Sequence, residues 1–64
     1  MRLTVFWERM NGRFGEVYAD SVVRDVTIGE LGGRTAQEAL DAGVPAKQVW
    51  LALCEFFEIP AKER

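Results

Sequence analysis

Five large apolar residues, Leu3, Phe6, Trp7, Met10 and Phe14, recur at helical spacing near the start of this chain. At about 100° per residue they fall within roughly a third of a helix circumference, so the segment must lay one face against something. Everything else has to be arranged around that face within 64 residues. A chain this small buries only about 60% of the surface its extended form exposes, and it is marginal without support. Disulfides, structural metals and oligomer interfaces are the usual supports. A single cysteine, Cys54, excludes an internal disulfide, and the lack of histidine leaves no ligand set for zinc. Dense packing or self-association remains. Four Phe, two Trp and one Tyr favour packing, because each brings a large area to bury.

The rest of the chain reads as further helices. Thr4 is placed to N-cap the first, Thr4 to Phe14, and Gly15 stands where a left-handed C-cap residue belongs. Gly12 weakens this helix by about 1 kcal/mol relative to Ala. A second helix, Glu16 to Asp25, has Val17, Tyr18 and Val22 on its apolar side and an Asp20–Arg24 i,i+4 pair. Val26-Thr27-Ile28-Gly29 reads as its continuation or as a separate turn ending at Gly32-Gly33. Ile28 and Leu31 extend a helical pattern, and a lone strand would have nothing to pair with. Thr35-Ala36-Gln37-Glu38 is a capping box, in which hydroxyl and carboxylate satisfy orphan amides reciprocally. It opens a short third helix through Ala42, stopped by Gly43. Pro45 suits the first turn of a fourth helix that runs to about Glu58 and ends at Ile59-Pro60.

The core arc of the fourth helix holds Val49, Trp50, Leu53, Cys54, Phe56 and Phe57, with Lys47, Gln48, Glu55 and Glu58 on its wet side. The expected fold is all-α: one domain, residues 1–64, forming a compact orthogonal bundle of three main helices plus one short helix. Residues 1–3 and 61–64 are expected to fray. Phe6, Met10, Phe14, Leu40, Leu53 and Phe57 are expected in the core.

Chemistry is sparse. Eight basic and ten acidic residues give a formal net charge of −2, mixed along the chain, which argues against a dedicated polyanion binder. There is no phosphate loop. Ser21 beside Asp20 has no general base to activate it. Glu16 and Asp20 read as a solvated face rather than an acid–base pair. Cys54, beside an apolar arc, reads as an inert small hydrophobe. Gly32-Gly33-Arg34-Thr35 leads into a helix N-terminus, but the cap takes the amides an anion would want. The aromatic residues could form a stacking platform for single-stranded nucleic acid, yet their helical period assigns them to the core. Thr27 to Gly43 has a loose helix–turn–helix spacing, but Gln37, Glu38 and Asp41 replace a basic reading face. The expectation is a protein without catalytic residues, cofactor or metal. No secretory signal opens the chain, and the apolar run Val49 to Cys54 is too short to span a bilayer. A cytoplasmic protein is expected.

What remains for a partner is a short set of residues. Val5 and Leu51 are apolar where helical placement asks for polar side chains. Arg2, Arg9 and Arg13 share one side of the first helix, with Arg34 in the loop as a possible addition to that cluster.

Leu3-Thr4-x-Phe6-Trp7-Glu8-Arg9-Met10, Phe14-Gly15, Tyr18-Ala19-Asp20-Ser21, Glu30-Leu31-Gly32-Gly33-Arg34-Thr35, Glu38-Ala39-Leu40 and Val49-Trp50 together resemble one family. It is the actinobacterial domain-of-unknown-function family numbered 3046, and the resemblance covers essentially the whole chain. It implies no activity, cofactor or catalytic residue. Members are often encoded near a DNA recombinase and its regulator, which implies an association by neighbourhood. The family tends to place an acidic residue at Val5, a basic or polar one at Leu51 and a non-glycine at Gly29. The expected function is therefore a non-enzymatic protein-interaction module with an unknown protein partner, an accessory factor in DNA recombination or repair. The alternative is a weak nucleic-acid-binding accessory that uses the arginine cluster. No membrane association is expected, and the protein is expected as a monomer or weak homodimer.

Overall fold

A computed structural model describes residues 1–64. The first helix, α1 (Leu3–Phe14), starts before Thr4: Arg2 is its N-cap and offers no side-chain hydrogen bond. Thr4 lies inside the first turn and does not cap it. The helix is held instead by its buried residues, Phe6 and Met10, as tertiary burial supplies most helical stability in proteins.

One residue joins α1 to α2 (Glu16–Asp25). Gly15 donates its N–H to the Asn11 carbonyl at 2.9 Å and accepts from the Ala19 N–H at 2.8 Å. It ends one helix and begins the next at φ 83°, ψ 152°. That conformation suits only glycine, and it is an extended mirror-image conformation rather than the left-handed helical one expected from sequence. So short a joint fixes how α2 is rotated about its axis. It buries Ala19, Val22 and Val23 and turns Val17, 86% exposed, and Tyr18 outward. The small Ala19 takes a core position that counting large apolar residues had given to Tyr18.

After α2 the chain is not helical, and the architecture is mostly helical rather than all-α. Thr27–Ile28 forms β1 and Arg34–Thr35 forms β2, an antiparallel pair in the register Thr27↔Thr35 and Ile28↔Arg34. A 3-10 turn, Gly29–Leu31, and Gly32-Gly33 connect them, closed by the Gly33 N–H on the Ile28 carbonyl at 3.1 Å. Of the β-branched run, Val26 caps α2 and Thr27-Ile28 forms a strand, whose mate is the two residues before the third helix. The hairpin also removes the first helix that a helix–turn–helix would need.

Thr35 both ends β2 and N-caps α3 (Ala36–Asp41). Its hydroxyl accepts from the Glu38 N–H at 3.1 Å, while the Glu38 carboxylate accepts from the Thr35 N–H at 2.9 Å. The capping box read from the sequence is present. Ala36 and Ala39 are fully buried, which lets α3 approach its neighbours closely. Gly43 and Val44 close its end through N–H bonds to the Leu40 and Ala39 carbonyls, a Schellman motif.

The last helix, α4 (Ala46–Phe56), packs on α1, α3 and the hairpin. Val49, Trp50, Ala52, Leu53 and Cys54 are buried, but Phe56 is 51% exposed. Phe14, Leu40 and Phe57, expected inside, are half-buried and pack against the core from its edge. A second Schellman motif ends α4: Glu58 and Ile59 donate to the Glu55 and Cys54 carbonyls at 3.2 and 2.8 Å. Glu58 holds the left-handed position at φ 54°, which is unfavourable for a side chain with a Cβ. The motif turns Ile59 into the core. Residues 61–64, expected to fray, instead dock: Ala61–Glu63 forms a 3-10 turn and the Arg64 side chain donates to the Ile59 carbonyl at 2.8 Å.

Two substitutions test this architecture by urea unfolding. Leu53→Ala opens a cavity at a fully buried position and is expected to cost about 2–5 kcal/mol, enough to unfold much of a marginal domain. Glu58→Gly relieves the left-handed residue and is expected to raise stability by up to about 1 kcal/mol. Wild-type stability in the first, or a clear loss in the second, contradicts the assignment.

Candidate functional site

The arginine edge of α1 is built by helical spacing. Arg9 and Arg13 stand one turn apart, with Gly12 between them contributing no side chain. With Trp50 of α4 and Glu63 they surround a recess of about 300 Å³. Both arginines are engaged by the end of the chain. Arg13 Nη1 lies 3.3 Å from Glu63 Oε1, and Arg9 Nη1 donates to the main-chain oxygen of Arg64. Trp50, only 2% exposed, donates its indole Nε1–H to the same oxygen at 3.2 Å. Its burial therefore leaves no orphaned donor, and no buried side-chain nitrogen or oxygen lacks a partner.

A second recess, about 280 Å³, lies on the other side of Arg64, lined by Glu30, Leu31, Gln48, Leu51, Ala52 and Glu55. Arg64 Nη1 donates to Glu55 Oε1 at 2.6 Å, and this bond raises the guanidinium pKa further above its usual value. The chain end thus runs between an arginine-lined recess and a glutamate-lined one.

The candidate partner residues do not form one surface. Arg9 and Arg13 share the first recess. Leu51, 40% exposed, lines the second. Val5 is half-buried on α1 and lines neither recess. Arg2 is exposed at the N-cap of α1, and Arg34 is exposed on β2, which packs on α2 and α3. Neither of these two makes an ion pair.

Sequence reasoning missed Trp50, Glu63 and Arg64 as partners of the arginines. The alternating charges of Lys62-Glu63-Arg64 were the available signal, but nothing local indicates that they fold back on α1. It also missed an aromatic row. Tyr18, Phe14, Phe57 and Phe56 meet in succession, with ring centroids 5.7, 5.1 and 5.0 Å apart and rings tilted by 65°, 61° and 78°. The two inner rings are half-buried and the two outer ones exposed, so the row emerges where the end of α1, the start of α2 and the end of α4 meet.

Cys54 is fully buried. Burial pushes its thiol pKa up, and the nearby guanidinium groups of Arg64, Arg9 and Arg13 only partly oppose this. No group of three or more potential metal ligands comes together, and no helix is long and apolar enough to cross a membrane.

The fold and these surfaces define a small, mostly helical domain whose own chain end covers a polar recess. The family model described as "Protein of unknown function (DUF3046)" matches residues 1–62, and the chain belongs to that family. No curated protein and no solved structure matches it.

The thiol gives a test of the packing around the recess. A raised folded-state pKa means the contribution of Cys54 to stability is complete at neutral pH and is lost as pH rises past the ordinary thiol range, about 8.5. Urea midpoints should therefore fall more steeply above that pH in the native protein than in Cys54→Ala. Iodoacetamide should label Cys54 only after denaturation. Rapid labelling of the folded protein contradicts the burial.

Proposed function

We propose that this protein is a non-enzymatic interaction module that binds an apolar, base-flanked segment of a partner protein along the aromatic row Tyr18, Phe14, Phe57 and Phe56. The row itself carries the proposal. Aromatic side chains dominate the energetics of protein interfaces, and a 64-residue chain that leaves four of them wholly or half in water forgoes burial that its core could use. Glu16 precedes Val17 and Tyr18, and Glu58 follows Phe57. Both are exposed and outside every ion pair, which favours basic residues beside the partner's apolar side chains.

The same features weigh against the nucleic-acid alternative. The rings pack edge to face, so their faces are partly covered by each other, whereas bases stack on open faces. Carboxylates beside the row repel phosphate. Arg9 and Arg13 are turned to the chain end, and of the arginine set only the side chains of Arg2 and Arg34 make no ion pair or hydrogen bond. In this reading the module works in the cytoplasm as an orthogonal helical domain. Its assignment as an accessory factor in DNA recombination or repair rests on genomic neighbourhood.

Affinity capture from the native cell with the wild type and with Tyr18→Ser/Phe56→Ser tests the proposal. Both positions are exposed, so the double variant should unfold within about 1 kcal/mol of wild type. It should recover the principal partner at least tenfold less well. Equal recovery rules the row out as the interface. A mobility shift with DNA that falls steeply with salt, in place of a protein partner, favours the alternative.

A further inference from the structure

We propose that the groups flanking the chain end, Arg9, Arg13 and Trp50 on one side and Glu55 on the other, form a binding site for an acidic-then-basic peptide segment of a partner protein, and that Glu63-Arg64 occupies it in cis. The proposal stands apart from the aromatic row, and either can fail without the other. The donors around the recess are matched to peptide chemistry. Arg13 takes a carboxylate, Glu63 Oε1, at 3.3 Å. Arg9 Nη1 and Trp50 Nε1 converge on one main-chain oxygen, that of the next residue, Arg64. Across the chain, Glu55 Oε1 takes the guanidinium of that same residue at 2.6 Å, with Glu30 lining the same recess. One side therefore meets an acidic side chain, the middle meets the main-chain oxygen of the following residue, and the other side meets that residue's basic side chain. A free phosphate could accept from Arg13, Arg9 and Trp50 but has no cation to give Glu55.

Arg64 is held by Glu55 and the Ile59 carbonyl, but the acidic end of the cis segment is weakly secured. Arg13 and Glu63 are 41% and 45% exposed, and pairs of that kind contribute little, about 0–1 kcal/mol. Ala61–Glu63 buries no residue. The nearest apolar anchor is Ile59, before Pro60. About 300 Å³ remains open beside Glu63, and beyond the helix's own backbone and the two adjoining residues no atom lies within 4 Å of where a Cβ on Gly12 would be. A longer segment thus has contacts to gain that the chain's own residues do not make. Because the cis segment competes from a fixed tether, on the order of millimolar effective concentration, an incoming peptide meets a site weakened by the fraction of molecules that are closed.

The test follows the two indole N–H resonances of the 15N-labelled full-length protein by NMR. Trp50 reports the recess, and Trp7, packed on Phe6, reports the core. The variant Glu63→Ala/Arg64→Ala is expected to move the Trp50 resonance and leave that of Trp7 in place. If Trp7 also moves, the single variant Glu63→Gln replaces it with the same expectation. Adding a synthetic peptide with the sequence of residues 59–64 should return the Trp50 resonance toward its wild-type position. The peptide should bind the opened variant at least tenfold more tightly than wild type. Adding Arg9→Ala/Arg13→Ala should weaken binding at least tenfold. The proposal is overturned by an unmoved Trp50 resonance in the variant, no titration by the peptide, or equal binding when the peptide's glutamate is glutamine. Binding of inorganic phosphate or a single-stranded oligonucleotide as tight as that of the peptide also overturns it. Since Tyr18→Ser/Phe56→Ser touches none of these contacts, its result and this one are read independently.

Discussion

The burial of α4 is the interaction on which the rest of the structure depends. Its buried face, from Val49 to Cys54, packs on α1, α3 and the hairpin at once. With no disulfide and no structural metal ligands, a chain this short must concentrate its apolar contacts in one cluster. That cluster joins Phe6 and Met10 of α1, Val22 and Val23 of α2, Ile28 of β1 and Ile59 after α4. Small residues make the concentration possible. Ala19, Ala36, Ala39 and Ala52 sit in the core, where larger side chains would hold the helices apart.

This arrangement also decides what is left outside. A helix of eleven residues cannot bury its whole circumference in a bundle of so few elements. The burial of Leu53 and Cys54 turns Phe56 to water and leaves Phe57 at the edge, where it meets Phe14 and, through it, Tyr18. On the other side, burial of Trp50 creates a demand for one hydrogen-bond acceptor, which the main chain at Arg64 supplies. Both candidate surfaces are therefore consequences of how α4 is packed. They differ in kind: one is an apolar row bordered by carboxylates, the other a polar recess bordered by a segment of the same chain.

Much of this was legible in the residues. The extents of α1 and α2, the capping box at Thr35 and the helix after Pro45 follow from periodicity, capping chemistry and turn residues, which act locally. Phe6, Met10 and Leu53 are buried because they lie at the centre of their stripes. The hairpin was not legible, because two-residue strands carry no periodicity and Arg34-Thr35 gives no strand signal of its own. Tyr18, Phe56 and Phe57 were misplaced for a related reason. Periodicity finds the apolar arc of a helix but not which part of the arc a neighbour covers, and the Gly15 joint settles that for α2. Of the residues singled out for a partner, Arg9 and Arg13 come together, while Arg2, Arg34, Val5 and Leu51 are dispersed, since side-chain type says nothing about long-range folding of the chain end.

The central claim is that the core is complete without the aromatic row, whose outer rings, Tyr18 and Phe56, stand in water. Hydroxyl-radical footprinting of the purified protein measures this directly, because oxidation follows side-chain exposure and each residue type has an internal control. Met1, exposed, should oxidise readily and Met10, buried, should not. Phe56 should oxidise and Phe6 should not, with Tyr18 among the most reactive side chains. Protection of Tyr18 and Phe56 at concentrations where the protein is monomeric, or oxidation of Met10 and Phe6, would contradict the account.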